Sequence, residues 1–309
     1  MTPDELLDAI RGGDRRALAR ALSIVEDERP GADLLRAAGH AARRDRKVVG
    51  VTGAPGVGKS TLVDALVAEL RGRGRTVGVV AVDPSSPLSG GALLGDRLRM
   101  QRHVDDPGVF VRSMANRGRL GGLAAGVVPV LGLLGLAGFD ELVVETVGVG
   151  QAEVEVAEEA DTTIVVVTPG WGDDVQTAKA GLLEVADVFV VNKADRPGAA
   201  ETVAELRRML ELGTASSWAP PVVSTVAVDG TGIPELVDAV ERHRRHLDDT
   251  GDGDRRRRRR AAAAIRRAVD RRLRRVLDGE DYSELVAAVA EGEIAPDDAA
   301  RRLVDEGGR

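Results

Sequence analysis

The sequence predicts an α/β fold: a mostly parallel sheet with helices on both faces, extended by helical segments at the N- and C-termini. Three observations predict it. Short β-branched runs alternate with helical stretches between Lys47 and about Val228. The first run passes through a glycine-rich loop straight into a helix-like segment. Both ends of the chain, up to residue 45 and from residue 255, carry apolar residues at helical spacing.

The first residues, Thr2-Pro3-Asp4-Glu5, read as a helix start. Thr2 is an N-cap, Pro3 stands at N1 and Glu5 closes a capping box. This is no basic leader, so the expected location is cytoplasmic. Leu6, Leu7 and Ile10, then Leu18, Leu22 and Val25, mark the apolar faces of an N-terminal helical segment over 1–45. The core domain is expected over 46–247. Its strands are read at Lys47–Thr52, Thr76–Val82, Val109–Ser113, Glu141–Val147, Thr162–Val167, Val188–Asn192 and Val222–Val226. Gly121 to Phe139 has no charged residue but holds Pro129 and several glycines. It is read as a buried helix rather than a membrane span. Asp248 to Asp254 reads as an acidic, Gly-rich linker, and 255–309 as a C-terminal helical arm. The run Arg255–Arg260 is read as a solvated helix face, and Ile265, Val269, Leu273, Val276 and Leu277 as an amphipathic stripe after it.

Composition narrows the chemistry. The 309 residues include no cysteine, which excludes disulfides and thiolate metal sites. A net charge of −7 and 2% aromatics argue against nucleic acid as a partner. No membrane partner is expected.

Gly53-Ala54-Pro55-Gly56-Val57-Gly58-Lys59-Ser60 completes the pattern G-x-x-x-x-G-K-[ST], followed by Thr61 in a helix. Glycines let backbone N–H groups converge on a phosphate, and the helix N-terminus adds partial positive charge. Lys59 is placed to reach the β- and γ-phosphates, and Ser60 to offer its hydroxyl to Mg²⁺. Asn192-Lys193-Ala194-Asp195 ends a later strand and matches the guanine-reading pattern N-K-x-D. A carboxylate at Asp195 accepts from guanine N1–H and its amino group, donors that adenine lacks. The chain has four lysines, at 47, 59, 179 and 193, and two of them fall in these motifs. Asp83 and Glu145 end strands, and Asp96 lies in the Gly-rich loop Gly90–Asp96. Glu145-Thr146-Val147-Gly148 has the E-x-x-G layout in which a carboxylate orders Mg²⁺ and the glycine N–H senses the γ-phosphate. Gln151 is the nearest candidate for orienting the attacking water.

Together these motifs resemble one family, the MeaB/ArgK-like GTPases associated with methylmalonyl-CoA mutase, relatives of the nickel-delivery GTPases. The resemblance is carried by Gly53–Thr61, Asp83–Ser86, Gly90–Met100, Gly121–Ala124, Ala137–Asp140, Glu145–Gln151, Pro169–Lys179 and Asn192–Asp195. It implies a P-loop GTPase domain in a homodimer built through the C-terminal arm. The implied role is chaperone of an adenosylcobalamin-dependent acyl-CoA mutase, gating cofactor loading and protecting the mutase. It also implies Mg²⁺ between Ser60, Asp83, Asp96 and Glu145. Asp173, Gln176 and Lys179 match the switch that couples nucleotide to the mutase, and Trp171 beside them is an expected partner anchor. Two segments depart from the pattern: Arg112–Gly118, and Ser224–Ala227, where Val226 stands in a loosened form of the last guanine-contact motif. No D-x-H-x-x-G motif occurs, so cobalamin is expected on the partner.

Three other functions compete. A nickel metallochaperone GTPase usually carries His or Cys clusters. Here the histidines are 40, 103, 243 and 246, and His243 and His246 are expected to face solvent. A small-substrate kinase conflicts with N-K-x-D. A binding module without catalysis conflicts with the apparent Mg²⁺ set.

Overall fold

The computed structural model describes residues 1–43, 47–84, 100–103, 105–116, 122–146, 159–170, 185–212 and 217–306. Seven strands form one parallel sheet: β1 Lys47–Thr52, β2 Val77–Pro84, β3 Val109–Asn116, β4 Glu141–Thr146, β5 Thr162–Val167, β6 Val188–Asn192 and β7 Val222–Thr225. Their order is β3-β2-β4-β1-β5-β6-β7. All seven fall where β-branched runs predicted them, with ends shifted by a few residues. Ten α-helices are described: α1 Pro3–Arg11, α2 Arg15–Glu26, α3 Ala32–Arg43, α4 Lys59–Gly72, α5 Gly122–Leu136, α6 Ala199–Leu212, α7 Ile233–Thr250, α8 Asp252–Leu277, α9 Glu280–Ala290 and α10 Pro296–Glu306. The expected capping box is formed: the Thr2 hydroxyl accepts from Glu5 N–H, and the Glu5 carboxylate accepts from Thr2 N–H.

Alternation along each strand sorts the core into two layers. Val48, Val80, Val82, Leu142 and Val144 face one side and pack with α1, α2 and α5. Val49, Val51, Val77, Val79, Val143, Ile164 and Val188 face the other and pack with α4 and α7. Central parallel strands are covered on both faces, which is why they read as nearly continuous valine.

The uncharged stretch folds as α5, with Val130, Leu131, Leu133 and Leu134 fully buried. It crosses α3 at Gly39 and Gly132. A Cβ on Gly132 would lie 2.7 Å from the Gly39 carbonyl oxygen, so the two backbones touch there. Among the described residues no helix is long and apolar enough to cross a membrane.

Two compact units are present, Met1–Gly253 and Asp254–Arg309. The acidic stretch 248–254 is not an open linker. Helix α7 runs through Asp248 and Asp249 to Thr250, and α8 begins at Asp252. Gly251, with φ +72, supplies the left-handed cap between them. The Arg255–Arg260 run lies inside α8. In that helix Ile265, Val269 and Leu273 are 65%, 53% and 49% exposed.

His243 does not face solvent; it is completely buried. Its Nδ1 is 2.9 Å from the Thr162 hydroxyl, and its Nε2 is 3.3 Å from Asp187 Oδ1. The indole of Trp218 packs 4.9 Å from its ring. The buried face of α7 runs Ile233, Leu236, Val240, His243, Leu247, so helical periodicity carries His243 inward. Next to it Arg244 is buried as well, forked onto both oxygens of Glu141 at 2.8 and 2.6 Å.

Candidate functional site: a phosphate loop and a base-reading loop

The site lies beyond the carboxyl ends of β1, β4 and β6, where open α/β sheets place their ligands. After Thr52 the chain turns at Gly53 with φ +140. A Cβ there would lie 2.2 Å from the Val166 carbonyl oxygen, so the first loop position accepts only glycine. Gly56 and Gly58 also take positive φ, and Gly58 caps α4 in the left-handed region. Pro55 and Gly56 are exposed at the loop's tip, while Val57 tucks into the core under the loop. Lys59 and Ser60 open α4, both buried, with Thr61 following. The Lys59 ammonium donates to the Gly53 and Ala54 carbonyls. A left-handed loop ending on a helix N-terminus is a cradle for polyphosphate.

Ser60 donates its hydroxyl proton to Glu145 Oε1 at 2.6 Å. Glu145 is fully buried at the end of β4, in register with Val51 of β1. Sheet register therefore sets the height of the carboxylate against the first turn of α4. Asp83 lies one residue past the Val82–Thr146 pair of β2 and β4, at the same edge of the sheet.

The second loop follows β6. Asn192 is buried and donates from Nδ2 to the Val57 carbonyl at 2.8 Å. Its Oδ1 accepts from the Thr225 hydroxyl and from Ala227 N–H, both at 3.2 Å. Lys193 adopts φ +59 and its Nζ donates to the Gly56 carbonyl at 2.7 Å. Asp195 is exposed beside them, open to a ligand. Val226 is pinned from below: its N–H donates to the Thr231 carbonyl at 3.0 Å.

The structure thus brings together Gly53, Pro55, Gly56, Val57, Gly58, Lys59, Ser60, Thr61, Glu145, Asn192, Lys193, Asp195 and Val226 around one end of the sheet. Asp96, Gly148, Gln151, Asp173, Gln176 and Lys179 lie outside the described residues, as does Trp171. Thr225 stood within the Ser224–Ala227 segment but was given no role of its own; its hydroxyl holds Asn192. Its place at the end of the strand Val222–Thr225, paired with Asn192 across β6 and β7, was the available signal.

Comparisons with known proteins agree with this geometry. The family model described as methylmalonyl Co-A mutase-associated GTPase MeaB matches residues 18–281. A Pyrococcus abyssi protein with a provisional GTPase name is 46% identical over 98% of this chain and 96% of its own. The GTPase ArgK of Escherichia coli is 34% identical over 97% of this chain and 95% of its own. A crystal structure described as a LAO/AO transport system kinase superposes with a TM-score of 0.71 at 27% identity, covering 99% of this chain and 98% of that one. With its phosphate loop and N-K-x-D loop joined at the end of a parallel sheet, the chain is a GTP hydrolase and belongs to the MeaB family of methylmalonyl-CoA mutase-associated GTPases.

Proposed function

We propose that this chain is a Mg²⁺-dependent, cytoplasmic GTPase switch that chaperones an adenosylcobalamin-dependent acyl-CoA mutase, methylmalonyl-CoA mutase being the first candidate. The observation that carries the metal is the contact between Ser60 and Glu145. A hydroxyl and a carboxylate 2.6 Å apart at a helix N-terminus form a hard oxygen donor set of the kind Mg²⁺ takes. Ser60 and Glu145 would hold the ion, with Asp83 and Asp96 completing the set. Bound there, Mg²⁺ supplies positive charge that offsets the charge of the β- and γ-phosphates.

The chain's own residues divide the remaining work. Lys59 pairs with the phosphates once its ammonium exchanges the loop carbonyls for phosphate oxygens. Asp195 selects guanine, and Lys193 lays its stem along the base. Gly148 follows the γ-phosphate, and Gln151 orients water. Asp173, Gln176 and Lys179 relay the nucleotide state to the mutase, which itself binds the cobalamin. A second copy of this chain covers the exposed Ile265, Val269 and Leu273 stripe of α8, giving a homodimer.

Hydrolysis of GTP and ATP by the purified full chain, with and without a purified acyl-CoA mutase, tests the proposal. The expected result is a slow Mg²⁺-dependent GTPase that the mutase accelerates. Preference for ATP, or indifference to the mutase, overturns it.

A further inference from the structure

The last two residues of β4 grip the phosphate loop at both of its ends. Glu145 holds Ser60, where the loop runs into α4. Thr146, on the opposite face of the sheet, holds Thr52, where the loop leaves β1. The Thr146 hydroxyl is 3.2 Å from Thr52 Oγ1 and 3.5 Å from the Val51 carbonyl. Thr52 is 0% exposed and Thr146 1%. Both lie on the face that Val48, Leu142 and Val144 fill with valine and leucine.

A buried hydroxyl costs free energy unless it is hydrogen-bonded, and valine has a similar branched shape without a polar atom to satisfy. Every other side chain of these two strands on this face is aliphatic. The two hydroxyls sit only at the final position of each strand, where Thr146 donates and Thr52 Oγ1 accepts. Their contact adds little to the core that a valine pair would not supply. What it adds is direction. A valine pair packs without a preferred contact distance, whereas a hydroxyl pair sets the separation of the strand ends one residue beyond the Val51–Glu145 pair.

We infer that Thr146 and Thr52 are positioning residues for GTP hydrolysis: together they lock the end of β4 to the start of the phosphate loop and so hold Glu145 at catalytic distance from Ser60. The inference rests on Glu145 and Ser60 serving the bound nucleotide, and not on the identity of any partner. Intrinsic hydrolysis without a mutase therefore tests it independently of the chaperone role.

Thr146→Val, Thr52→Val, the double variant and Thr146→Ser would be compared in the full chain by kcat, KM, GDP affinity and melting temperature. One lost hydrogen bond of ordinary strength corresponds to a fall in kcat of about three- to tenfold. That fall is expected for T146V, with KM and GDP affinity within about twofold of the parent. T146S returns kcat to near the parent value, because the hydroxyl is restored. The double variant is no slower than either single one, since both remove one contact. If T146V does not fold, T52V carries the test alone, because it leaves the Thr146 hydroxyl the Val51 carbonyl as acceptor. A folded T146V or T52V with unchanged kcat overturns the inference. So does a loss confined to melting temperature, or an equal loss of GDP affinity.

Discussion

Asn192 Nδ2 donates to the Val57 carbonyl at 2.8 Å, which makes the base-reading loop and the phosphate loop one hydrogen-bonded body. Gly58 permits the approach, since a Cβ there would lie 2.5 Å from the same amide nitrogen. The other end of the Asn192 side chain accepts from Thr225 and Ala227. Asn192→Ala would leave three groups on two segments, the Val57 carbonyl, the Thr225 hydroxyl and Ala227 N–H, without this partner, at about 1–3 kcal/mol for each group left unsatisfied. Affinity for GTP and for GDP should fall together, by about a hundredfold. Fluorescent-nucleotide titration measures it, and a variant that discriminates between the two nucleotides would contradict the account.

Asp195 should govern which base is bound and nothing else. It is exposed, so removing its charge disturbs no packing. Asp195→Asn replaces an acceptor of two guanine donors with a group that presents one acceptor and one donor. A hydrogen bond to a charged group contributes about 1.5–3 kcal/mol, so GTP affinity is expected to fall about ten- to a hundredfold. Xanthosine triphosphate, which presents an acceptor where guanine has its amino group, should gain. Competition between the two nucleotides reads the exchange directly.

Glu141 opens β4 at the opposite end of the strands. Its carboxylate is 5% exposed, accepts both forks of Arg244, and takes a third bond from Arg75 Nη1 at 2.6 Å. Glu141→Ala strands a buried guanidinium and should cost about 3–5 kcal/mol in chemical denaturation. The nucleotide loops lie at the other end of the strands. GDP affinity of the folded variant should therefore stay within about twofold of the parent.

Asp106 gives an acid-range signature. Arg71 meets it with Nε at 2.8 Å and Nη2 at 3.0 Å, and Gly108 N–H adds a bond at 2.7 Å. The Arg71 hydrogen bond, then that from Gly108, hold the carboxyl below its ordinary value of 3.8. A depressed pKa stabilises the fold above the unfolded-state value, and that contribution is lost as pH falls through the folded-state value. The melting-temperature gap between the parent and Asp106→Asn should thus be constant near neutrality and close below pH 3.8. A gap that widens in acid would reverse the assignment.

Local chemistry was the legible part of this molecule. Gly53 to Ser60 and Asn192 to Asp195 stood out because each motif occupies consecutive residues. The central strands β1, β4, β5 and β6 were legible because parallel strands buried on both faces read as valine-rich runs. His243 was hidden by its neighbours: arginines at 242, 244 and 245 gave the helix a polar appearance. Arg244 itself is buried on Glu141, so charge did not report exposure. The acidic stretch 248–254 looked like a linker, yet one glycine sufficed to turn helix into helix. Thr52 and Thr146 could not be paired by reading. They are far apart in the chain and meet only through the register of β1 with β4.

The position of β1 also sets a schedule for biosynthesis. β1 is wedged between β4 and β5, which begin at Glu141 and Thr162. Gly53 rests on the carbonyl of Val166. The phosphate loop is translated early, but the strands that shape it emerge roughly 90 to 115 residues later, and non-local pairing of this kind is slow to form. A nascent chain halted after Thr61 but before β5 is complete at Val167 carries the loop's full motif without a framed nucleotide site. For this chain, the capacity to recognise GTP is acquired only after its most recognisable sequence has long left the ribosome.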